Sequence, residues 1–226
     1  GFPRSIPSNT YNIAWCTSHP ELLQPQYTYH YDQIYTLSPA HAEMMTRHGY
    51  PADTLYAASS KTPYPIQEQI HPAIFIGNAK PNQPPRPSVR MLHESGFPYK
   101  IWGWGWENIL PDENIAGHYF DYTRLNELYA SSQFVLNDHH EFMTRMGMLS
   151  PKNFDICASG GLLVCERNRG IDDIFGDSIP QFSSTDELKQ ILFHLDKHPE
   201  KREALRQCAM EIARQYKFVN VIRQIK

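Results

Sequence analysis

No apolar run in the chain approaches the ~18 residues that a membrane-spanning helix requires, and no charged leader with an apolar stretch marks a secretory signal. The expectation is a cytoplasmic protein without a transmembrane segment. Cysteine is scarce. The four present (Cys16, Cys157, Cys165, Cys208) match neither a metal-ligand spacing nor a disulfide framework. Three of them fall in apolar periodic segments, which predicts reduced, buried thiols. Charge of one sign is also missing: 21 basic against 24 acidic residues leave a net charge of −3. That gives no global attraction to a nucleic-acid polymer or an anionic membrane. There is no internal repeat and no low-complexity tract. Gly103–Trp106 (GWGW) lacks the third glycine and the Lys-Ser/Thr of a phosphate loop. No Ser-His-Asp or Cys-His arrangement can be assembled. Gly1 stands where an initiator Met would, which suggests a tag scar or an excised fragment.

What is there is ordinary globular material: 41% hydrophobic and 20% charged residues over 226 positions, enough for one large domain or two small ones. Short apolar runs alternate with helical patterns. Residues 13–16, 34–37, 54–58, 74–77, 99–102, 134–137 and 162–165 read as strands. Ser38 is an expected helix cap with Pro39 as the first helical residue and Gly49 beyond its end. Helices are expected over 88–94 and 123–131. Ser184 and Glu187 have capping-box spacing ahead of Leu188, Ile191, Leu192 and Leu195. After Pro199 a last helix carries the stripe Leu205, Cys208, Ala209, Ile212, Ala213 and Tyr216. Strands alternating with helices predict an α/β fold, a Rossmann-like, mostly parallel sheet covered on both faces. A Pro-punctuated link near residues 60–70 leaves an incomplete α/β portion before it. The Tyr-rich segment with Tyr27, Tyr29, His30 and Tyr31 suits an interface or a half-exposed strand.

Residues 134–166 carry the most information. They read as a buried strand, a polar loop, a short helix, a Gly-Gly turn and a second buried strand. In open α/β sheets ligands sit outside the carboxyl ends of such strands, where helix N-termini aim amides at anions. A phosphorylated small molecule is the expected ligand. His139 and His140 are adjacent on an extended segment and point to opposite faces, so no shared metal ion is expected. The GWGW tryptophans suit stacking on a base or sugar as well as packing under a loop.

The order Leu136, Asn137, Asp138, His139, Met143, Gly147, Ser150, Phe154, Asp155, Ala158, Gly160 resembles the signature of GT-B glycosyltransferases, of the group 1 and spore-maturation type. The likeness extends to Phe75–Asn78 (FIGN), to Arg86 and Arg90, to Gly103 and its tryptophans, and to the C-terminal helices. It covers roughly residues 74–225. The resemblance implies a donor-binding Rossmann-like half over residues 66–226. Residues 1–65 would be a remnant of the N-terminal, acceptor-side domain. It also implies a nucleotide-sugar-dependent, hexosyltransferase-type enzyme of which this chain is part. The donor would be a nucleotide-diphosphate sugar and the acceptor a glycan, protein or small molecule. No metal or other cofactor is implied.

On that resemblance Gly77, Asn78, Arg86, Arg90, Asn137, Ser150, Lys152, Asn153 and Asp155 would bind donor. His139, Arg90 and Lys152 would act on the leaving diphosphate, and Asp155 would accept from the ribose hydroxyls. Gly147 stands where many related enzymes carry a glutamate. Cations and helix-terminus amides aimed at a departing diphosphate are what such a transfer needs. Taken singly, Lys152 and Arg90 also suit solvated charges, and Asp155 a helix-terminal acid. Two other readings remain open: a non-catalytic nucleotide-sugar-binding module, or a related two-Rossmann enzyme such as a sugar-nucleotide epimerase or polyol-phosphate transferase.

Overall fold

The computed structural model describes residues 9–17, 31–65, 68–79 and 86–225. Tyr27, Tyr29 and His30, with most of the Pro-rich loop before Arg86, lie outside the described residues.

Two parallel sheets organise the chain. The first has the order β1 (Ile13–Cys16), β2 (Gln33–Thr36), β3 (Asp53–Thr54). The second has the order β6 (Ile115–Gly117), β5 (Tyr99–Trp102), β4 (His71–Ile76), β7 (Ser132–Asn137), β8 (Leu163–Glu166), β9 (Gln181–Phe182). Every pairing in it is parallel. The α/β expectation holds, and the alternation of side chains along the strands shows why. Ile74, Val135, Leu163 and Cys165 enter one core, while Ala73, Phe75, Phe134, Leu136, Leu162 and Val164 enter the other. A parallel sheet buried on both faces requires that double set of apolar residues.

Helices cover the two faces. On the Phe75 face lie α2 (Pro87–Ser95) and α7 (Thr185–Asp196), contributing Val89, Leu92, Leu188 and Leu192. On the other face lie α5 (Pro151–Ala158) and α8 (Pro199–Ala213), contributing Phe154, Ile156, Ala209 and Ala213. Helix α1 (Pro39–Arg47) follows β2. Ser38 caps it by accepting from the His41 amide at 3.3 Å, and Pro39 opens it. Ser184 caps α7 in the same way, and Glu187 accepts from the Ser183 amide at 2.7 Å.

Several expectations need correction. The strand expected over 54–58 stops pairing at Thr54. Leu55 still donates to the Thr36 carbonyl, but Ser59 then turns to Tyr216 and bridges Lys217. The helix expected over 123–131 opens as a tighter turn at Tyr122–Arg124 and becomes α3 at Leu125–Ala130. Strands β6 and β9, and helices α4 (Glu141–Arg145) and α6 (Arg169–Phe175), were not expected at all.

The last long helix keeps the expected stripe at Leu205, Ala209, Ile212, Ala213 and Tyr216, which pack into the cores, but Cys208 is exposed. Its buried residues also include Met210, Arg202 and Arg206: Arg206 donates to the Gly160 carbonyl at 2.8 Å and Arg202 to the Leu195 carbonyl at 3.1 Å, capping neighbouring helix ends. Cys157 and Cys165 are buried as expected, and burial pushes both thiols up; Cys16 is half-buried. A short C-terminal helix, α9 (Phe218–Val221), returns to the first sheet. Its Val221 packs with Tyr35, Leu55 and Ala58. No helix among the described residues is long and apolar enough to cross a membrane.

Candidate functional site

The carboxyl ends of β4, β7 and β8 meet the start of α5, and polar side chains converge there. Asp138, the first residue after β7, is 4% exposed. Its Oδ1 accepts from Arg86 Nε at 2.8 Å and also from Arg86 Nη2, and its Oδ2 accepts from Ser88 Oγ at 2.6 Å. Lys152, in the first turn of α5, reaches across the strand ends and donates to the Ile76 carbonyl at 2.7 Å. The Arg86 guanidinium and the Lys152 ammonium both sit over the Phe75 ring, 5.0 and 5.6 Å from its centroid. Burial, reinforced by the Arg86 charge and opposed by Asp138, pulls the Lys152 ammonium down to about 8. Glu166 ends β8 nearby, pushed up by burial and by Asp138.

Behind these cations lies a buried polar net. Asn153 Oδ1 accepts from Asn137 Nδ2 and Ser150 Oγ, each at 2.9 Å, and lies 3.0 Å from His139 Nε2. The Ser150 amide is 3.3 Å from the same Nε2. A neutral imidazole divides these contacts by tautomer: it donates to Asn153 or accepts from Ser150. Burial holds His139 down at about 4, so it is neutral at pH 7. It offers an N–H there, but not an imidazolium. Asn137 and Asn153 are essentially inaccessible and hold the loop to the helix rather than facing outward.

Glycine makes the approach of the Arg86 loop possible. A Cβ on Gly77 would lie 3.0 Å from the Phe75 ring and 3.3 Å from Arg86 Nη1. The Gly77 carbonyl accepts from Trp106 Nε1 at 2.8 Å, and Asn78 Oδ1 accepts from the Trp104 amide at 3.0 Å. Gly77 and Asn78 therefore anchor the GWGW turn. Of its tryptophans, Trp106 is fully buried, while Trp104 is 59% exposed and stacks on His118 at 4.2 Å.

The structure brings Arg86, Lys152, Ser150, Asn137, Asn153, His139, Gly77 and Asn78 together. It keeps two expected residues apart. The Arg90 side chain is 55% exposed and pairs with Glu94 one turn along α2, at 3.7 Å. Asp155 faces the first part of the chain, where Ser59 Oγ donates to it at 2.5 Å; burial pushes its carboxyl up, against Ser59 and Lys61. Asp138 has the most contacts of any carboxylate here, yet in the sequence it carried no assigned role. An acid directly after a buried strand was the available signal.

A concavity of about 370 Å³, apart from the cation cluster, separates α1 from the loops of the large sheet. Ser38, Pro39, Ala40 and Glu43 line one side, and Arg145, Met146, Gly147, Arg169 and Asp173 the other. Gly147 is left-handed and its carbonyl touches Gly170, where a Cβ would overlap it. Asp173 is 3.6 Å from Arg169. Arg145 lies over the Phe142 ring at 5.2 Å, and the edge of that ring region meets His41 of α1 at 5.6 Å.

His41 is fully buried, and neither ring nitrogen has a hydrogen-bond partner among the described residues. Burial lowers it to about 4. The unfolded chain therefore binds the proton first, and stability contributed by neutral His41 is lost as pH falls from 6.5 towards 4. The loss is on the order of 3 kcal/mol for this shift, and His139 adds a loss of the same sign. Denaturant titrations across that range should show a shallower acid slope in His41→Leu; an unchanged slope would contradict the assignment.

A profile of glycosyl transferase-like proteins matches residues 86–226. No curated protein sequence matches the chain. Sucrose-phosphate synthase from Thermosynechococcus elongatus shares the fold with a TM-score of 0.63 at 9% identity, over 88% of this chain and 58% of that one. The Anabaena protein HepE, in complex with UDP-glucose, gives 0.64 at 12% identity, over 88% and 63%. Phage T4 β-glucosyltransferase gives 0.62 at 10% identity, over 93% and 71%. The chain thus spans less than two thirds of the synthase and of HepE. Such identities speak for the fold, a Rossmann-like GT-B arrangement. With more than half of its length matched by that profile, the chain belongs to the glycosyl transferase-like family.

Proposed function

We propose that this chain binds a nucleotide-diphosphate sugar and takes part in transfer of its glycosyl group to an acceptor. The observation that carries the reading is the pair of cations, Arg86 and Lys152, held over one ring at the carboxyl ends of parallel strands. A diphosphate leaving group gains negative charge in the transition state, and cations already in place stabilise it without reorganisation. Ser150 and the amides opening α5 add donors. His139, neutral, braces Asn153 and Ser150 behind the cations. The exposed face of Trp104 suits a base or a sugar ring. That two similar folds are described with UDP-glucose makes uridine diphosphate the first donor to try.

On this reading residues 66–226 are the donor-binding domain and residues 1–65 the end of an acceptor-side domain. The 370 Å³ hollow between α1 and the Gly147 loop would receive the acceptor. Its arginines and carboxylates, around apolar Pro39, Ala40 and Met146, suit a hydroxylated group. The two cations fill the role a metal plays elsewhere, and a nucleotide-sugar donor places the protein in the cytoplasm.

Calorimetry with uridine, guanosine, cytidine and thymidine diphosphates tests the reading. One of them should bind, and Arg86→Ala should weaken that binding roughly 10–100-fold, the worth of one charged hydrogen-bonding group. Absence of binding by all four at millimolar concentration would sink it. Product analysis with the matching sugar donor then separates transfer from epimerisation or from binding alone.

A further inference from the structure

We infer that Asp138 is a positioning residue that sets the pose of Arg86 and offsets the repulsion between Arg86 and Lys152 over the Phe75 ring. The inference rests on the donor-binding reading above and adds the carboxylate that makes a two-cation site workable. Two like charges over one buried ring repel, and without a counter-charge the flexible one withdraws or loses its proton. Asp138 lies where it can prevent both. Both of its oxygens are engaged by the start of the β4–α2 crossover, through Arg86 and Ser88. Because Arg86 uses Nε and Nη2 on the carboxylate, Nη1 is the nitrogen left without a partner among the described residues. That nitrogen packs against Gly77, so closely that a Cβ there would lie 3.3 Å from it. Asp138 also favours the charged form of Lys152, which Arg86 opposes.

Burying a carboxylate is costly unless its lone pairs are satisfied. A surface ion pair would have served if holding α2 to the sheet were the whole purpose. Here the acid is instead almost completely shielded and holds Arg86, whose guanidinium shares the Phe75 ring with Lys152.

The test separates positioning from simple charge removal. Asp138→Asn, with ε-13C-labelled lysine and Lys152 assigned through Lys152→Arg, is titrated by NMR without nucleotide. Lys152 should titrate at lower pH than in the native protein. Affinity for the nucleoside diphosphate that the native protein binds should fall roughly tenfold or more at pH 7.5, with its alkaline limit moved to lower pH. Tighter anion binding, or an unmoved Lys152, would overturn the inference. Ser88→Ala covers the case in which Asp138→Asn does not fold. It keeps the charge and loosens the carboxylate, so Lys152 should titrate as before while affinity falls about threefold. Unchanged affinity there would also overturn it. The Lys152 titration needs no ligand, so failure of the native protein to bind any nucleotide sinks the donor reading alone.

Discussion

Lys152→Met is expected to weaken nucleoside-diphosphate binding about 10–100-fold at pH 7 while raising the protein's own stability. The affinity loss follows from removing an ammonium held over Phe75 and aimed across the strand ends. The stability gain follows from linkage. In the folded protein the ammonium loses its proton near pH 8, whereas in the unfolded chain it keeps it to about 10.5. Between those values the unfolded state binds more protons, so native stability rises with pH. Below pH 8 the full burial penalty on the charge persists, and methionine relieves it. An anion binds the charged form, so native affinity should be flat below pH 8 and decline above it. In Lys152→Met that decline should vanish. Calorimetry at several pH values with thermal melts checks both halves; lost stability in the variant, or a persistent alkaline decline, would contradict the role.

Gly103→Ala should produce the largest loss of stability. Gly103 has φ of 153°, a region that side-chain-bearing residues rarely adopt. An added Cβ would overlap the Gly77 carbonyl and sit 3.1 Å from the Asn78 amide nitrogen. Those atoms are backbone and cannot rotate away. Overpacking and the disallowed φ each cost about 1–3 kcal/mol, so a total of about 2–6 kcal/mol is expected. For a chain of this size that lowers Tm by about 4–24 °C. Gly96→Ala is the control: it also has positive φ, but open space surrounds its Cβ, so it should lose less. Equal melting of the two variants would show that the Gly77–Gly103 contact does not matter.

The buried strands of the large sheet were legible because residues 134–136 and 162–165 are apolar runs with turn residues beyond them. Strands β6 and β9 were not, since three and two residues carry no period. The cation site was half legible. Arg86 and Lys152 could be placed at strand ends, but not their partners: Asp138 lies 52 residues beyond Arg86, and the Ile76 carbonyl 76 before Lys152. Arg90 shows a signal passed over. Its i,i+4 spacing to Glu94 already indicated an exposed helix pair. The stripe on the last long helix held except at Cys208, but it counted apolar residues only and so left out two arginines with carbonyl partners on the buried face.

Asp155 was expected to greet a ribose, and it already holds the Ser59 hydroxyl, 96 positions upstream. A sugar reaching that carboxylate would meet Ser59 already seated on Oδ1. Ser59 is also the point at which the strip leaving the small sheet touches Lys217 near the far terminus. Any group that took Oδ1 would therefore free the side chain of a residue whose backbone is tied to Tyr216 and Lys217.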